Sequence, residues 1–462
     1  MSNGAMNSRP MSGGASNNGA VAARPAIGRK IRERIPARLW PAILVGYSCL
    51  LPKEMSVDVV GANLFPWRVM MILVLPWVIR SLIKDPVRFS IVDLFAGLAS
   101  LWFVLSLLVM DTVEDALIVG VSQLIDLAFA YIAGRAAIRS YHDFRTFFAC
   151  LIPGLLAVAA ILAAESIANR TLLRPFVGEL FGNLPAYFYS KPRFGLTRAM
   201  GPFAHPIVAG VIMSSLIPLA WFGARNNRVR VLGLIAAACG IFTFSSAAVL
   251  AAILGVGLIS LLLIRRHFQI PALTIAAFYI MLMLLLTSVV SESGILSVAI
   301  RYLTLDPGSG YYRLLIWNYA GAEALNNPIF GIGVRDWHRP DWMFDPTIDA
   351  FWLAITMRHG FPLGFAVLMV VFGGIFEAVK NNSNVSSEDR NTGYATAIAL
   401  TAFAFCGVTV HIWEGVVSWM YLLAGLSVSL GTQRVRSLPI RNGAEPSGAS
   451  PAYASTRIAG RV

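Results

Sequence analysis

About twelve apolar blocks, divided by short polar connections, leave this chain few ways to fold. They fall at about 38–51, 64–80, 91–110, 116–134, 146–166, 205–223, 231–244, 247–264, 270–290, 348–379, 393–411 and 416–431. A helix crosses the hydrocarbon layer in about 20 residues, and in lipid its backbone must satisfy its own hydrogen bonds. The pattern predicts an all-α polytopic membrane protein with about 12 transmembrane helices. The block at 348–379 is too long for one straight span, and Gly360 and Pro362 offer it a break. Composition agrees. Of 462 residues, 57% are hydrophobic and only 13% are charged, about half the charged share of a soluble domain.

The net charge of +13 would suit a nucleic-acid binder, but its distribution argues otherwise. With the N-terminus in the cytoplasm, every inner connection is basic: Arg80, Lys84 and Arg88; Arg135, Arg139 and Arg145; Arg225, Arg228 and Arg230; Arg265 and Arg266; Lys380 and Arg390. The short outer loops carry Lys53 with Glu54 and Asp58, then Asp111, Glu114 and Asp115, then Glu414. This is the positive-inside pattern, so the charge predicts orientation in a membrane and no nucleic-acid partner. Residues 1–36 are predicted to be a disordered, basic cytoplasmic N-terminus, 37–432 the transmembrane domain and 433–462 a disordered cytoplasmic tail. Cys49, Cys150, Cys239 and Cys406 are scattered through apolar stretches and read as small core residues.

Two outer loops are long, at about 168–204 and 291–347, and loops of that length usually carry function. The first holds Arg170, Arg174, Lys191, Arg193 and Arg198 against one acid, Glu179. Arginine forks pair with phosphate in two-pronged fashion, which suggests an anion site. In the second, Asp306-Pro307-Gly308 is a turn, and Ser309 can cap a helix from about Gly310 to Leu325 that ends at Asn326-Asn327-Pro328. Arg313, Trp317, Ala320 and Ala324 share one face of it. Taken by itself, that pattern is better accounted for by an interfacial helix with a snorkelling Arg313. Arg68, near the outer end of its span, also reads as a snorkelling arginine. Gly331 and Gly333 follow, where the backbone can take positive φ or approach a ligand closely. No strand precedes them, which excludes a dinucleotide fingerprint.

Taken in order, these segments resemble the O-antigen ligase and polymerase superfamily of bacterial polysaccharide assembly. The residues that carry the resemblance are Arg313-Leu314-Leu315-Ile316-Trp317, then Pro328-Ile329-Phe330-Gly331-Ile332-Gly333, then Asp349-Ala350 with Gly360 and Gly364. Upstream, Arg198-Ala199-Met200-Gly201-Pro202-Phe203-Ala204-His205-Pro206 resembles the family's arginine segment before a span. The match runs over roughly 193–365. One position departs: where the family has histidine, this chain has Asp349, and neither His338 nor His359 is in register.

The resemblance implies a GT-C-like, metal-independent membrane glycosyltransferase without a cofactor. Its donor would be an undecaprenyl-diphosphate-linked oligosaccharide. It would sit in the bacterial inner membrane with its active site on the periplasmic side and both termini in the cytoplasm. Membrane lipids, a chain-length regulator and a flippase are the partners it implies. Arg198 and Arg313 would clamp the diphosphate, and Asp349 would accept a proton from the acceptor hydroxyl. Arg193, His205, Trp317, Gly331, Gly333, Arg335, Arg358 and His359 are the candidate substrate-binding residues. Asp349 also stands, with Thr347, where a helix N-cap would. His205 can equally be a satisfied buried histidine, Trp337 and Trp342 can be interface anchors, and Glu414 is a reserve base. The absent histidine favours a polymerase of exopolysaccharide, capsule or O-antigen repeat units. A ligase transferring polysaccharide to lipid A core remains the alternative, and a polysaccharide-lipid transporter or flippase is the reading from another class.

Overall fold

The computed structural model describes residues 35–59, 62–183, 192–193, 195–268, 307–380 and 385–433. Of the expected tails at 1–36 and 433–462, residues 1–34 and 434–462 lie outside these residues, as do the apolar block at 270–290, Lys191 and the first part of the second long loop.

The described chain is helical. In order it forms α1 (Trp40–Ser48), α2 (Pro66–Lys84), α3 (Ile91–Met110), α4 (Val113–Ala137), α5 (Tyr141–Ile167), α6 (Leu173–Phe181) and α7 (Pro206–Gly223). Then follow α8 (Asn227–Ala238), α9 (Ser246–Phe268), α10 (Pro307–Asn326), α11 (Phe351–His359), α12 (Phe361–Lys380), α13 (Ser387–Cys406) and α14 (Gly415–Gly431). Among the described residues, seven of these are long and apolar enough to cross a membrane: α2, α3, α4, α5, α7, α9 and α12. Exposed Leu73, Ile79, Ile83, Leu98 and Leu101 on α2 and α3 would be a liability in water and are ordinary against lipid.

Several blocks resolve into shorter pieces. The one at 231–244 becomes the twelve-residue α8 and a tight 3-10 turn, Cys239–Thr243. The break in 348–379 falls at Gly360, whose φ of +85° ends α11 and lets α12 start in a new direction. A small hairpin, β1 (Val57–Val59) against β2 (Ala62–Leu64), was not expected; Val57 pairs with Leu64 and Asp58 with Asn63.

α14 is buried along its length and packs on α4, α12 and α13. Small residues make this possible. A side chain at Gly425 would meet the Tyr131 carbonyl of α4, and one at Gly134 would meet the α14 backbone. Without a hydrophobic drive between helices in lipid, such close backbone approach supplies the packing.

Arg68 does not snorkel. It pairs with Asp126, inside α4, at 2.6 Å, and Asp126 also accepts from the Trp67 indole at 3.0 Å and the Ser418 hydroxyl at 3.2 Å. This buried cluster ties α2, α4 and α14 together. At the opposite end, Arg135 pairs with Asp93 at 2.7 Å and Arg145 with Asp389 at 2.8 Å. These arginines are therefore built into helix joints.

Candidate functional site

The rim of the site starts from a carboxylate that sequence reasoning passed over. Glu165, fully buried near the end of α5, accepts from four backbone N–H groups. Its Oε1 takes Leu172 at 3.0 Å and Leu173 at 3.3 Å; its Oε2 takes Met200 at 3.0 Å and Gly201 at 2.8 Å. Several N–H donors hold a buried carboxylate without a counter-ion. The consequence is positional: the loop around Arg198 is pinned to the top of α5. Arg174 reinforces it. Rather than presenting a charge to solvent, Arg174 is buried, ion-paired to Glu54, and donates to the Ala204 carbonyl at 3.2 Å.

Two other arginines of this loop reach the turn between α8 and α9. Arg198 Nε donates to the Thr243 carbonyl at 3.3 Å, and Arg193 Nη1 to the Phe244 carbonyl at 2.6 Å. Phe244 has a φ of +44°, and the reversal it makes turns both carbonyls toward the loop.

The opposite wall comes from α10 and α11. Ile316, Ala320 and Ala324 of α10 pack in a buried cluster with Leu353, Ala354 and Met357 of α11. Trp317 secures the same face, its indole donating to the Val408 carbonyl at 3.1 Å. Trp337 joins the cluster and donates to the Pro346 carbonyl at 2.9 Å, so it is no interface anchor. Trp342 is exposed. The glycine segment locks onto the end of α11: Ile332 N–H donates to Met357 at 2.9 Å and Gly333 N–H to Arg358 at 2.9 Å. A Cβ at Gly331 would overlap the Arg358 carbonyl carbon. Gly331 and Gly333 take φ of +69° and +68°; Gly331 approaches the backbone of Arg358 and His359, and Gly333 approaches the Asp111 carboxylate at the end of α3.

Between these walls lies a cavity of about 860 Å³. Its lining includes Arg313, Asp349, Asp345, His205, His411 and Arg358, with Phe103, Leu107, Val119 and Ile207 as apolar walls. Phe103 lies seven residues before the end of α3, about 10 Å along the helix axis. The cavity therefore runs from the loops into the helical layer. Gln123 of α4 also lines it, with its Oε1 buried and without a hydrogen-bond partner. Gln123 sits between two π-helical turns, Ala116–Gly120 and Ile125–Phe129. Such turns interrupt the regular helix and are common at functional sites.

Electrostatics couple Arg313, in the cavity lining, to Arg198 in the neighbouring loop. Burial, then Arg193 and Arg313, push the Arg198 guanidinium down to about 10. Burial, then Arg198 and Arg313, push His205 down to about 3. His205 is therefore a neutral imidazole; its Nδ1 accepts the Ile207 N–H at 3.0 Å as the N-cap of α7, which leaves Nε2 as the protonated nitrogen. Burial raises the Asp349 carboxyl, while Arg313 opposes the rise and Asp345 adds to it. Asp349 caps no helix: the N-cap of α11 is Ala350, without a side-chain cap.

Of the candidate residues, Arg313, Asp349, His205, Gly333, Arg358 and His359 meet at this cavity. His359 is held by Ser106 at 2.8 Å, and Arg358 donates to the Gly333 carbonyl at 3.0 Å. Arg198, Arg193, Trp317, Gly331 and Arg335 do not line it. Arg335 donates to the Ile332 carbonyl at 3.1 Å. Glu414, the reserve base, is ion-paired to Lys53 at 2.9 Å and also stands outside the lining. Sequence reasoning missed Gln123, Asp345, His411 and Glu165. A polar side chain inside an apolar block was the available signal for Gln123 and Glu165. No family model matches the chain, and no curated protein matches it significantly in sequence.

Proposed function

We propose that this chain is a membrane glycosyltransferase that polymerises undecaprenyl-diphosphate-linked oligosaccharide repeat units, in a GT-C-like bundle of about 12 spans. The observation that carries this reading is the meeting of Arg313 and Asp349 at one cavity, with the Arg198 charge acting on Arg313 from the opposing loop. Breaking a sugar–diphosphate bond leaves a pyrophosphate whose negative charge grows, and fixed guanidinium groups in a site shielded from water stabilise it. Arg313, supported by Arg198, takes that role. The acceptor hydroxyl oxygen attacks the anomeric carbon, the bond to the diphosphate oxygen breaks, and Asp349 takes the hydroxyl proton. A carboxylate raised by burial is a better proton acceptor than an exposed one. His205 contributes a neutral donor, which suits a sugar hydroxyl or a phosphate oxygen. The apolar walls formed by Phe103, Leu107, Val119 and Ile207 fit the lipid end of the donor.

The test is reconstitution. The purified chain in lipid nanodiscs, given lipid-linked repeat units alone, should produce a ladder of lengthening glycans. Transfer seen only after a second lipid acceptor is added would replace this reading with ligation. Substrate crossing a proteoliposome membrane without bond formation would replace it with transport.

A further inference from the structure

The connection between α13 and α14 forms one side of the cavity: Thr409, Val410, His411 and Trp413 all line it. It is fixed from outside the cavity. The Val410 carbonyl accepts the Phe351 N–H of α11 at 3.1 Å, and Glu414 pairs with Lys53 at 2.9 Å.

Glu414 itself is strained. Its φ of +57° and ψ of −147° lie in a region that glycine enters freely and other residues rarely do. A glycine stands one position later, where a Cβ on Gly415 would crowd the Cys49 carbonyl and the Trp67 ring. The chain thus places a carboxylate where backbone geometry asks for glycine, and that carboxylate holds Lys53. Strain of this kind persists only where the surroundings over-determine it, and it clusters at ligand clamps and active sites.

The strained turn presents a ring cluster to the cavity. Trp413 stacks on His411 with 5.3 Å between centroids, and His205 lies against Trp413 at 6.0 Å. Burial, then Arg358, push the His411 imidazole down to about 4, so it is neutral, as His205 is. His411 Nδ1 is buried and makes no hydrogen bond, which leaves Nε2 as the ring nitrogen able to meet a ligand. This lip therefore offers aromatic surface and neutral imidazole nitrogens in the cavity that Arg313 and Asp349 also line. A saccharide ring matches both. Its C–H faces pack on aromatic rings, and its hydroxyls donate and accept, so they satisfy an imidazole in either tautomer.

We propose that His411 and Trp413 bind the first saccharide of the donor, next to its diphosphate, and that the strained Glu414, with Lys53, is the positioning pair that holds them there. This rests on the glycosyltransferase reading of the same cavity and adds where the sugar sits.

The full chain in nanodiscs is titrated with undecaprenyl diphosphate and with the same lipid carrying one glucose, galactose or N-acetylglucosamine, and bound lipid is counted by native mass spectrometry. The wild type should bind at least one glycosylated lipid about tenfold tighter than the bare diphosphate, the scale of one or two hydrogen bonds. His411→Ala and Trp413→Ala should lose that preference and bind the bare lipid as before. Glu414→Gln and Lys53→Gln should lose part of it, whereas a merely structural role would weaken both lipids together. No preference in the wild type, or an intact one in either folded alanine variant, overturns the subsite alone; should Trp413→Ala not fold, His411→Ala decides. An intact preference in Glu414→Gln overturns the positioning role. A wild type that binds no undecaprenyl diphosphate at all sinks the glycosyltransferase reading, and the subsite with it.

Discussion

Asp349 and Arg313 oppose each other in one cavity: burial raises the Asp349 carboxyl, and the Arg313 guanidinium draws it back down. In the proposed reaction, a base that must be ionised to work is thus poised by a cation assigned to the diphosphate. Removing either residue should alter the other, which is the basis of the first two predictions.

Asp349→Asn should lower turnover by about 10²- to 10⁴-fold, the usual scale of a lost general base. The sign for stability is opposite. A carboxyl whose folded value is raised holds its proton more tightly when folded, so its contribution is full at acid pH and is lost as pH rises through that folded value. At neutral pH Asp349→Asn should melt at or above the wild-type temperature while losing activity. The wild-type rate should fall on acidification from a pH above the ordinary carboxylate range. Thermal melts and a pH–rate profile check both; a marked loss of stability at pH 7 would make Asp349 structural.

Arg313→Lys keeps the charge and loses the fork. If a two-pronged diphosphate contact is needed, turnover should fall about 10- to 100-fold, with Arg313→Gln lower still. Steady-state rates with lipid-linked donor check this. Wild-type rates in Arg313→Lys would leave only a point charge.

Glu165→Gln replaces a carboxylate that takes four N–H donors with an amide offering one oxygen. Losing charge-assisted bonds on this scale should cost about 2–3 kcal/mol. Hydrogen exchange should rise selectively at Met200 and Gly201. Unchanged exchange there would mean that Glu165 does not pin the Arg198 loop.

Asp126→Ala leaves Arg68 without its buried partner and should destabilise by about 3–5 kcal/mol. Arg68→Met/Asp126→Leu should recover most of that loss. A double-mutant cycle on melts in micelles measures the coupling; additive single effects would contradict a specific pair.

Much of the helical layer was legible, because apolar runs report burial in lipid whatever their neighbours are. The break at Gly360 and the end of α10 at Asn326 could be read from local backbone chemistry. The partners of charged residues could not. Arg68 finds Asp126 and Arg174 finds Glu54 across long sequence separations, and single-sequence reading has no access to such pairing. For the same reason Gly331 suggested a ligand contact, when its tight approach is to the end of α11, while Gly333 reaches the cavity beside Asp111. Arg313 and Asp349 were visible as polar residues in an outer loop; the wall contributed by Gln123 depends on how α4 packs against α3.

The most direct test of the central claim is binding of the leaving group itself. The chain in nanodiscs is titrated with radiolabelled undecaprenyl diphosphate and undecaprenyl monophosphate, for the wild type and for Arg198→Gln and Arg313→Gln. The account predicts that the wild type prefers the diphosphate and that both variants lose this preference while still binding the monophosphate. Equal affinity for the two lipids in the wild type, or an intact preference in Arg313→Gln, would contradict it.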